Sequence, residues 1–311
     1  MSAMIAFRRF TKRFGTHAAV DDLTLEISTG EAVALLGPNG SGKTTTLKAA
    51  AGLIRPTTGD VLIGEPGRPA SNPAARAVLS FLPQRVAFPE SLTGREVVEF
   101  YRQLRGVDAS RADAVLKLAS LNGSGSRQVG TYSGGMVQRL GLAVATLPAS
   151  PVLLLDEPTA ALDPDGLSAF YGLIERRKAA GQTIFFTSHQ LGDAERLADR
   201  FAILVDGRLA ALMTAVELSN RLASRGVLRL RIDHEPAGLM ERVRDLTPQA
   251  THSGDSLIVP GPAAIRPAVI DLVRASGATI LGLTAEEGRL DMFYRDLVEE
   301  RRSADHGTVR P

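Results

Sequence analysis

The chain reads as an α/β protein: a parallel sheet wrapped by helices, an inserted helical subdomain, and a small C-terminal α+β appendage. Three observations predict this. First, apolar strand-like runs at Glu31–Leu36, Val152–Leu155, Thr183–Thr187 and Phe201–Val205 alternate with segments of helical periodicity, the order that parallel βαβ units require. Second, strand signals stop between about residues 85 and 150, where Arg95–Leu104, Arg111–Leu121 and Gly134–Thr146 carry apolar residues at three- and four-residue spacing. Third, a new alternation begins beyond the turn signal Asp206-Gly207 and a helix at Ala215–Arg225. There Val227–Ile232, Leu257–Val259 and Thr279–Leu283 read as strands, with helices at Pro236–Leu246 and Ala263–Ala275. The expected domains are residues 1–225 and 226–311.

The remaining elements follow the same logic. Ile5–Phe14 and Leu23–Ile27 read as short alternating strands, and Glu31–Leu36 runs through a Gly-rich loop into a helix at Thr44–Leu53. Val61–Ile63 and Val78–Leu82 are strand-like, and helices at Gly166–Ala180 and Gly192–Ala198 separate the later strands. No internal repeat or low-complexity tract interrupts the pattern.

Composition narrows the function. With 44% hydrophobic and 23% charged residues the chain is ordinary globular material rather than disordered. No apolar run approaches the length of a membrane span, and the early basic residues precede no continuous apolar segment; the expectation is a cytosolic protein without a secretory signal. Cysteine is absent, which excludes disulfides and thiolate metal sites, and the five histidines lack ligand spacing. A net charge of +2, with no basic run interleaved with aromatics, points to no nucleic-acid partner.

Three motifs carry chemistry. Gly37-Pro38-Asn39-Gly40-Ser41-Gly42-Lys43-Thr44 has the P-loop pattern and lies between an apolar strand and a helix, with Thr45 following. Glycines let backbone N–H groups close around phosphates, and the helix N-terminus adds partial positive charge. Lys43 reaches terminal phosphates and the Thr44 hydroxyl suits Mg²⁺. Val152–Leu155 delivers Asp156 and Glu157 at the C-terminal edge of a buried strand, where α/β proteins hold ligands. Asp156 is placed to hold Mg²⁺ and Glu157 to orient or deprotonate an attacking water. Tyr132-Ser133-Gly134-Gly135-Met136 opens a helix, Ser133 as N-cap and two glycines leaving its start sterically open, which makes a second anion-binding N-terminus.

In this order, Gly37–Thr44, Ser133–Met136, Asp156-Glu157 and His189 resemble the ABC-type ATPase family over about residues 3–225, and the Ser133–Met136 helix opening belongs to no other P-loop class. The resemblance implies ATP and Mg²⁺ as ligands. It implies a head-to-tail homodimer in which Ser133 and Gly135, with Gly134 between them, meet the γ-phosphate held by the opposing subunit's P-loop. Phe14 corresponds to the aromatic stacked on adenine, usually Tyr. Gln84 corresponds to the glutamine that senses Mg²⁺ and links to a membrane partner, and His189 to the switch histidine at the γ-phosphate. Ala161-Leu162-Asp163 corresponds to the loop crossing the dimer interface beside Glu157. Met136 replaces the commoner Gln and cannot donate its side-chain hydrogen bond. The partner implied is a separate integral membrane permease, with this chain peripheral on the inner face of the cell membrane.

Leu290–Leu297 looks like the closing helix of bacterial exporter-type subunits. Together with Pro83–Gly106, especially Ser91–Glu96 and Phe100-Tyr101, it is loosely similar to the subunit serving copper-centre maturation of nitrous-oxide reductase. A generic exporter ATPase for a drug, lipid or polysaccharide is the alternative. A soluble, non-transport ABC ATPase is the third reading, disfavoured by the lack of a long coiled coil or a second ATPase half.

Overall fold

A computed structural model describes residues 2–121, 123–189, 191–286, 293 and 297. The chain divides into two compact units, 1–213 and 214–311. The helix expected to close the first unit therefore belongs to the second.

The first unit opens with two 12-residue strands, β1 (Ala3–Phe14) and β2 (His17–Ser28), joined by a two-residue turn. Both run longer than the short strands that the sequence predicts: β1 buries Met4–Phe7 and Phe10 as blocks, and only Leu23–Ile27 of β2 alternates buried with exposed residues. β3 (Ala32–Leu36) follows, then α1 (Lys43–Ala50), β4 (Thr58–Ile63) and the two-residue β5 (Arg68–Pro69). β2-β1-β4-β5 form an antiparallel sheet, a layer the sequence reading had not separated from the parallel one. After α2 (Pro73–Ala77) and β6 (Leu79–Leu82) the chain becomes helical, with α3 (Gly94–Leu104), α4 (Arg111–Leu118) and α5 (Gly134–Thr146). Val97, Val98, Val115, Leu116, Leu140 and Leu147 share one buried cluster, so this subdomain has a core of its own.

β7 (Val152–Leu155), α6 (Pro164–Ala179), β8 (Thr183–Thr187), α7 (Leu191–Leu197), β9 (Arg200–Val205) and β10 (Arg208–Thr214) complete the unit. The second sheet runs β10-β9-β3-β8-β7-β6, and its β9-β3-β8-β7-β6 part is parallel. β3, β7 and β8 are buried along their whole length, which explains their uninterrupted apolar sequence. β10 escaped the sequence reading because it is a half-exposed edge strand without a clear apolar period. Helix α1 touches both sheets, and Phe7 of β1 meets Phe185 of β8 with ring centroids 6.0 Å apart.

The register positions the site. Leu82 pairs with Leu155, Leu155 with Phe186, and Leu35 with Thr187, so β6, β7, β8 and β3 end at one edge. The loops carrying Gln84, Asp156-Glu157, His189 and Gly37–Gly42 all leave from that edge.

In the second unit, α8 (Ala215–Ala223) begins at a capping box between Thr214 and Glu217. Then come β11 (Val227–Ile232), α9 (Leu239–Leu246), β12 (Thr251–Ser253), β13 (Ser256–Pro260), α10 (Arg266–Ala275) and β14 (Ile280–Glu286). This βαββαβ order gives an antiparallel sheet β12-β13-β11-β14. Leu239 and Val243 of α9 and Val269 and Val273 of α10 share a core with Leu228, Leu230, Leu257 and Val259. The helix read at Leu290–Leu297 lies outside the described residues apart from Phe293 and Leu297, both buried. Among the described residues no helix is long and apolar enough to cross a membrane.

Because Phe185 is fully buried where the two sheets meet, Phe185→Ala should destabilise the first unit by about 3–5 kcal/mol. Urea unfolding followed by far-UV circular dichroism checks this; a loss below 1 kcal/mol, the scale of a surface change, would contradict the packing described.

Candidate functional site

The loop after β3 is held open by its backbone. Gly42 has φ +100°, and a Cβ there would lie 2.3 Å from the Ala19 carbonyl oxygen, so only glycine lets the loop enter α1 this close to β2. Lys43, at the first position of α1, folds back over the loop and donates to the carbonyls of Gly37 (2.8 Å) and Pro38 (3.0 Å). It is only 6% exposed, and burial pushes its pKa down, against the opposing pull of the Glu157 and Asp156 carboxylates. Ser41 is buried with an unpartnered hydroxyl, and Asn39, Gly40, Thr44 and Thr45 line the cleft above.

Across from this loop, Asp156 leaves the end of β7 at 1% exposure. Its Oδ1 accepts from Thr187 Oγ1 (2.8 Å) and Thr44 Oγ1 (3.2 Å), while the buried Oδ2 has no partner. Burial raises the Asp156 pKa above the usual carboxylate range, and the two hydroxyls oppose the shift. Glu157, the next residue, has φ +47°, and its N–H donates to Thr187 Oγ1 (2.8 Å). The turn sends the Glu157 carboxylate toward Gln84, whose Nε2 donates to Oε2 at 2.8 Å. His189 Nδ1 stands 3.7 Å from the same oxygen.

Lys43, Thr44, Gln84 and Glu157 therefore meet at one open cleft of 380 Å³, whose rim includes Phe14. Phe14 is 53% exposed, and the Lys12 ammonium sits 5.1 Å from its ring centroid. His17 and Ala19 also line this cleft and were missed from sequence, where His17 counted only as a metal ligand without partners. The turn Phe14-Gly15-Thr16-His17, which pairs Phe14 with His17, was the available signal.

Ser133, Gly134 and Gly135 do not line this cleft. Ser133 caps α5 by accepting from the Met136 N–H (3.2 Å), and a Cβ on Gly135 would lie 2.7 Å from the Ala161 carbonyl oxygen. The second glycine thus brings α5 against the loop that follows Glu157. Asp163 in that loop caps α6 by accepting from the Gly166 N–H. The Met136 side chain packs against the helical subdomain's core, an apolar task that Gln would not perform.

Residues 20–160 match the family model for ABC transporter. The Nod factor export ATP-binding protein I of Burkholderia lata is 39% identical over 214 residues, spanning 67% of this chain and 70% of that protein. The chain belongs to the ABC transporter family, among its ATP-binding proteins. The bacitracin transport ATP-binding protein BcrA of Bacillus licheniformis is 31% identical over 301 residues, 96% of this chain and 98% of its own length, so the likeness extends through the second unit. Among solved structures, a dimeric ATP-binding cassette in a post-hydrolysis state with ADP and phosphate bound is 27% identical, with a TM-score of 0.63. That match covers 68% of this chain and 99% of the cassette. This chain is an ABC-class ATPase with the mixed α/β cassette fold.

The donor set fits Mg²⁺. The unpartnered Asp156 Oδ2 and the lone pairs of the Thr44 hydroxyl are hard oxygen donors, and Mg²⁺ takes one or two such groups together with phosphate oxygens and waters. A carboxylate whose pKa rises on folding costs stability once ionised; the cost is full above its folded-state pKa and vanishes below the ordinary carboxylate range. Asp156→Asn should therefore raise the melting temperature of the nucleotide-free protein at neutral pH, and the gain should disappear as pH falls through that window. Differential scanning calorimetry of both proteins across pH checks the sign; a lower melting temperature for the variant at pH 7 would contradict it.

Proposed function

We propose that this chain is the ATP-hydrolysing subunit of an ABC exporter, working as a head-to-tail homodimer against a separate integral membrane permease on the inner face of the cell membrane. The observation that carries the reading is the convergence of Lys43 and Thr44 with Asp156, Glu157, Gln84 and His189 at one sheet edge. Lys43 and the N–H groups of the 37–45 loop would hold the phosphates, and Phe14 would stack on the adenine. Thr44 and Asp156 would hold Mg²⁺, with Gln84 beside it, and the ion when bound supplies charge neutralisation across the terminal phosphates. Glu157 Oε2 would accept the proton of the attacking water or orient it, and Gln84 Nε2 at 2.8 Å fixes where that oxygen points. His189, 3.7 Å away, would donate toward the γ-phosphate as charge develops there.

Homodimerisation finds support in the position of Ser133-Gly134-Gly135, which cap α5 away from the chain's own cleft and so remain free for a nucleotide held by a second copy. A dimeric state is also what the similar cassette structure displays. The exporter reading draws on relatives named for Nod factor export, daunorubicin resistance and bacitracin transport. None of these names points to copper, so the export of a drug, lipid or polysaccharide is preferred over copper-centre maturation. The βαββαβ unit, which has its own core and, among the described residues, does not line the cleft, is proposed to regulate or stabilise the dimer. Co-purification from detergent-solubilised membranes tests the coupling to a permease. Recovery of this chain without any integral membrane protein would favour a non-transport ATPase.

Glu157→Gln should bind MgATP normally and lose hydrolysis by about 10²–10⁴-fold, the range for a lost general base, leaving an ATP-trapped dimer on size-exclusion chromatography. Near-normal turnover would remove Glu157 from that role. Lys43→Ala should weaken ATP binding to the monomer, whereas Ser133→Arg should spare it and abolish dimerisation and turnover. Titration of both variants with labelled ATP distinguishes them, and equal loss of binding would contradict a role for Ser133 in trans.

A further inference from the structure

The hydrogen bonds of the site meet at a side chain to which the reading above gives no role. Thr187 is the last residue of β8 and is fully buried. Its Oγ1 lies 2.8 Å from Asp156 Oδ1 and 2.8 Å from the backbone nitrogen of Glu157. An amide only donates, so the hydroxyl accepts from Glu157 and spends its one proton on the carboxylate. The two bonds therefore have a fixed direction, and each controls one of the adjacent acids.

At Glu157 the bond secures a strained backbone. A non-glycine residue at φ +47° persists only where its surroundings over-determine it, and the N–H bond to Thr187 is the side-chain contact that holds this peptide. That φ sends the Glu157 side chain toward Gln84 and His189 instead of continuing the strand direction of β7. At Asp156 the same hydroxyl joins Thr44 on Oδ1, so that oxygen is saturated while buried Oδ2 keeps its lone pairs free. Rotating the carboxylate by a quarter turn would forfeit both hydroxyl bonds, so the two hydroxyls fix the plane of the group and leave its second oxygen without a protein partner.

We propose that Thr187 is a positioning residue of the ATPase: its hydroxyl, with that of Thr44, fixes the orientation of the Asp156 carboxylate so that one oxygen is left for the divalent cation, and it holds the left-handed turn that aims Glu157. This rests on the assignment of Asp156 to the cation and Glu157 to water. Thr187 does not line the cleft; it acts through its two neighbours. Thr187→Val keeps the branched shape and removes the hydroxyl, and Thr187→Ser keeps the hydroxyl.

The test measures steady-state ATP turnover over a Mg²⁺ titration, ATP affinity in EDTA by calorimetry, and melting temperature, for Thr187→Val, Thr187→Ser and Glu157→Gln in the full chain. Thr187→Val should lower kcat by about 30–100-fold, the scale of a misplaced catalytic group, while raising the Mg²⁺ concentration for half-maximal rate. ATP affinity in EDTA should stay near that of the parent, and Thr187→Ser should recover most of the turnover. Parent-like turnover in Thr187→Val overturns the proposal, as does a Thr187→Ser loss as deep as that of Val. An equal loss of metal-free ATP binding also overturns it, because the defect would then be collapse of the loop. Should Thr187→Val fail to fold, Thr187→Ser and Thr187→Ala carry the comparison, since both lack the methyl and only one keeps the hydroxyl. Full turnover in Glu157→Gln would instead sink the underlying assignment, an outcome separable from the behaviour of Thr187.

Discussion

The in-register parallel pairing of β3, β8, β7 and β6 is the constraint from which the site follows. Backbone hydrogen bonds align Leu35 with Thr187, Phe186 with Leu155, and Leu155 with Leu82, so four strands spread between residues 32 and 187 end together. Complete burial makes the pairing stringent: a slip of one residue would turn the side chains of β3, β7 and β8 to the wrong faces and break the packing of Phe185 on Phe7. A glycine-rich loop, two carboxylates, a glutamine and a histidine converge because the strands that carry them cannot stop anywhere else.

The edge where they converge is electrostatically costly. A buried carboxylate with one oxygen unpartnered and a buried ammonium facing its own loop's carbonyls both disfavour their charged forms, as the opposite pKa shifts of Asp156 and Lys43 record. The fold carries this cost on a rigid scaffold, with Thr44 and Thr187 clamping Asp156 and Gln84 clamping Glu157. The unpartnered, buried Asp156 Oδ2 fits a site that takes a hard cation. Polar groups held in advance at the end of a sheet need little rearrangement when charge develops, which is how a soft loop would fail.

The helical subdomain and the βαββαβ unit are built differently. Each has its own apolar cluster, and the helix opening at Ser133 meets the loop after Glu157 through a glycine-to-carbonyl approach at Ala161. An added methyl at Gly135 would close that approach, so the requirement for glycine here is steric within one chain as well as whatever a second copy demands. Among the described residues the cleft is lined from the first unit, and the likeness to BcrA runs across nearly the full chain.

Much of this was determined by the sequence alone. Uninterrupted apolar runs marked the buried strands Val152–Leu155 and Thr183–Thr187 to the residue, and the helix start at Gly134 followed from a Ser cap and paired glycines. Those signals are local, set by burial and by the orphan N–H groups of a helix end. Strands lacking them were lost: β10, an edge with half-exposed residues, and the continuous length of β1 and β2. The contributions of His17 and Thr187 were also invisible, because neither residue type carries meaning until a turn pairs His17 with Phe14 or a strand end sets Thr187 against Asp156. Sequence determined which groups the protein possesses and the elements that carry them; tertiary structure alone decided how the Asp156 carboxylate is oriented and where Glu157 points. Those are matters of distance and direction between residues far apart in the chain, and no local pattern encodes them.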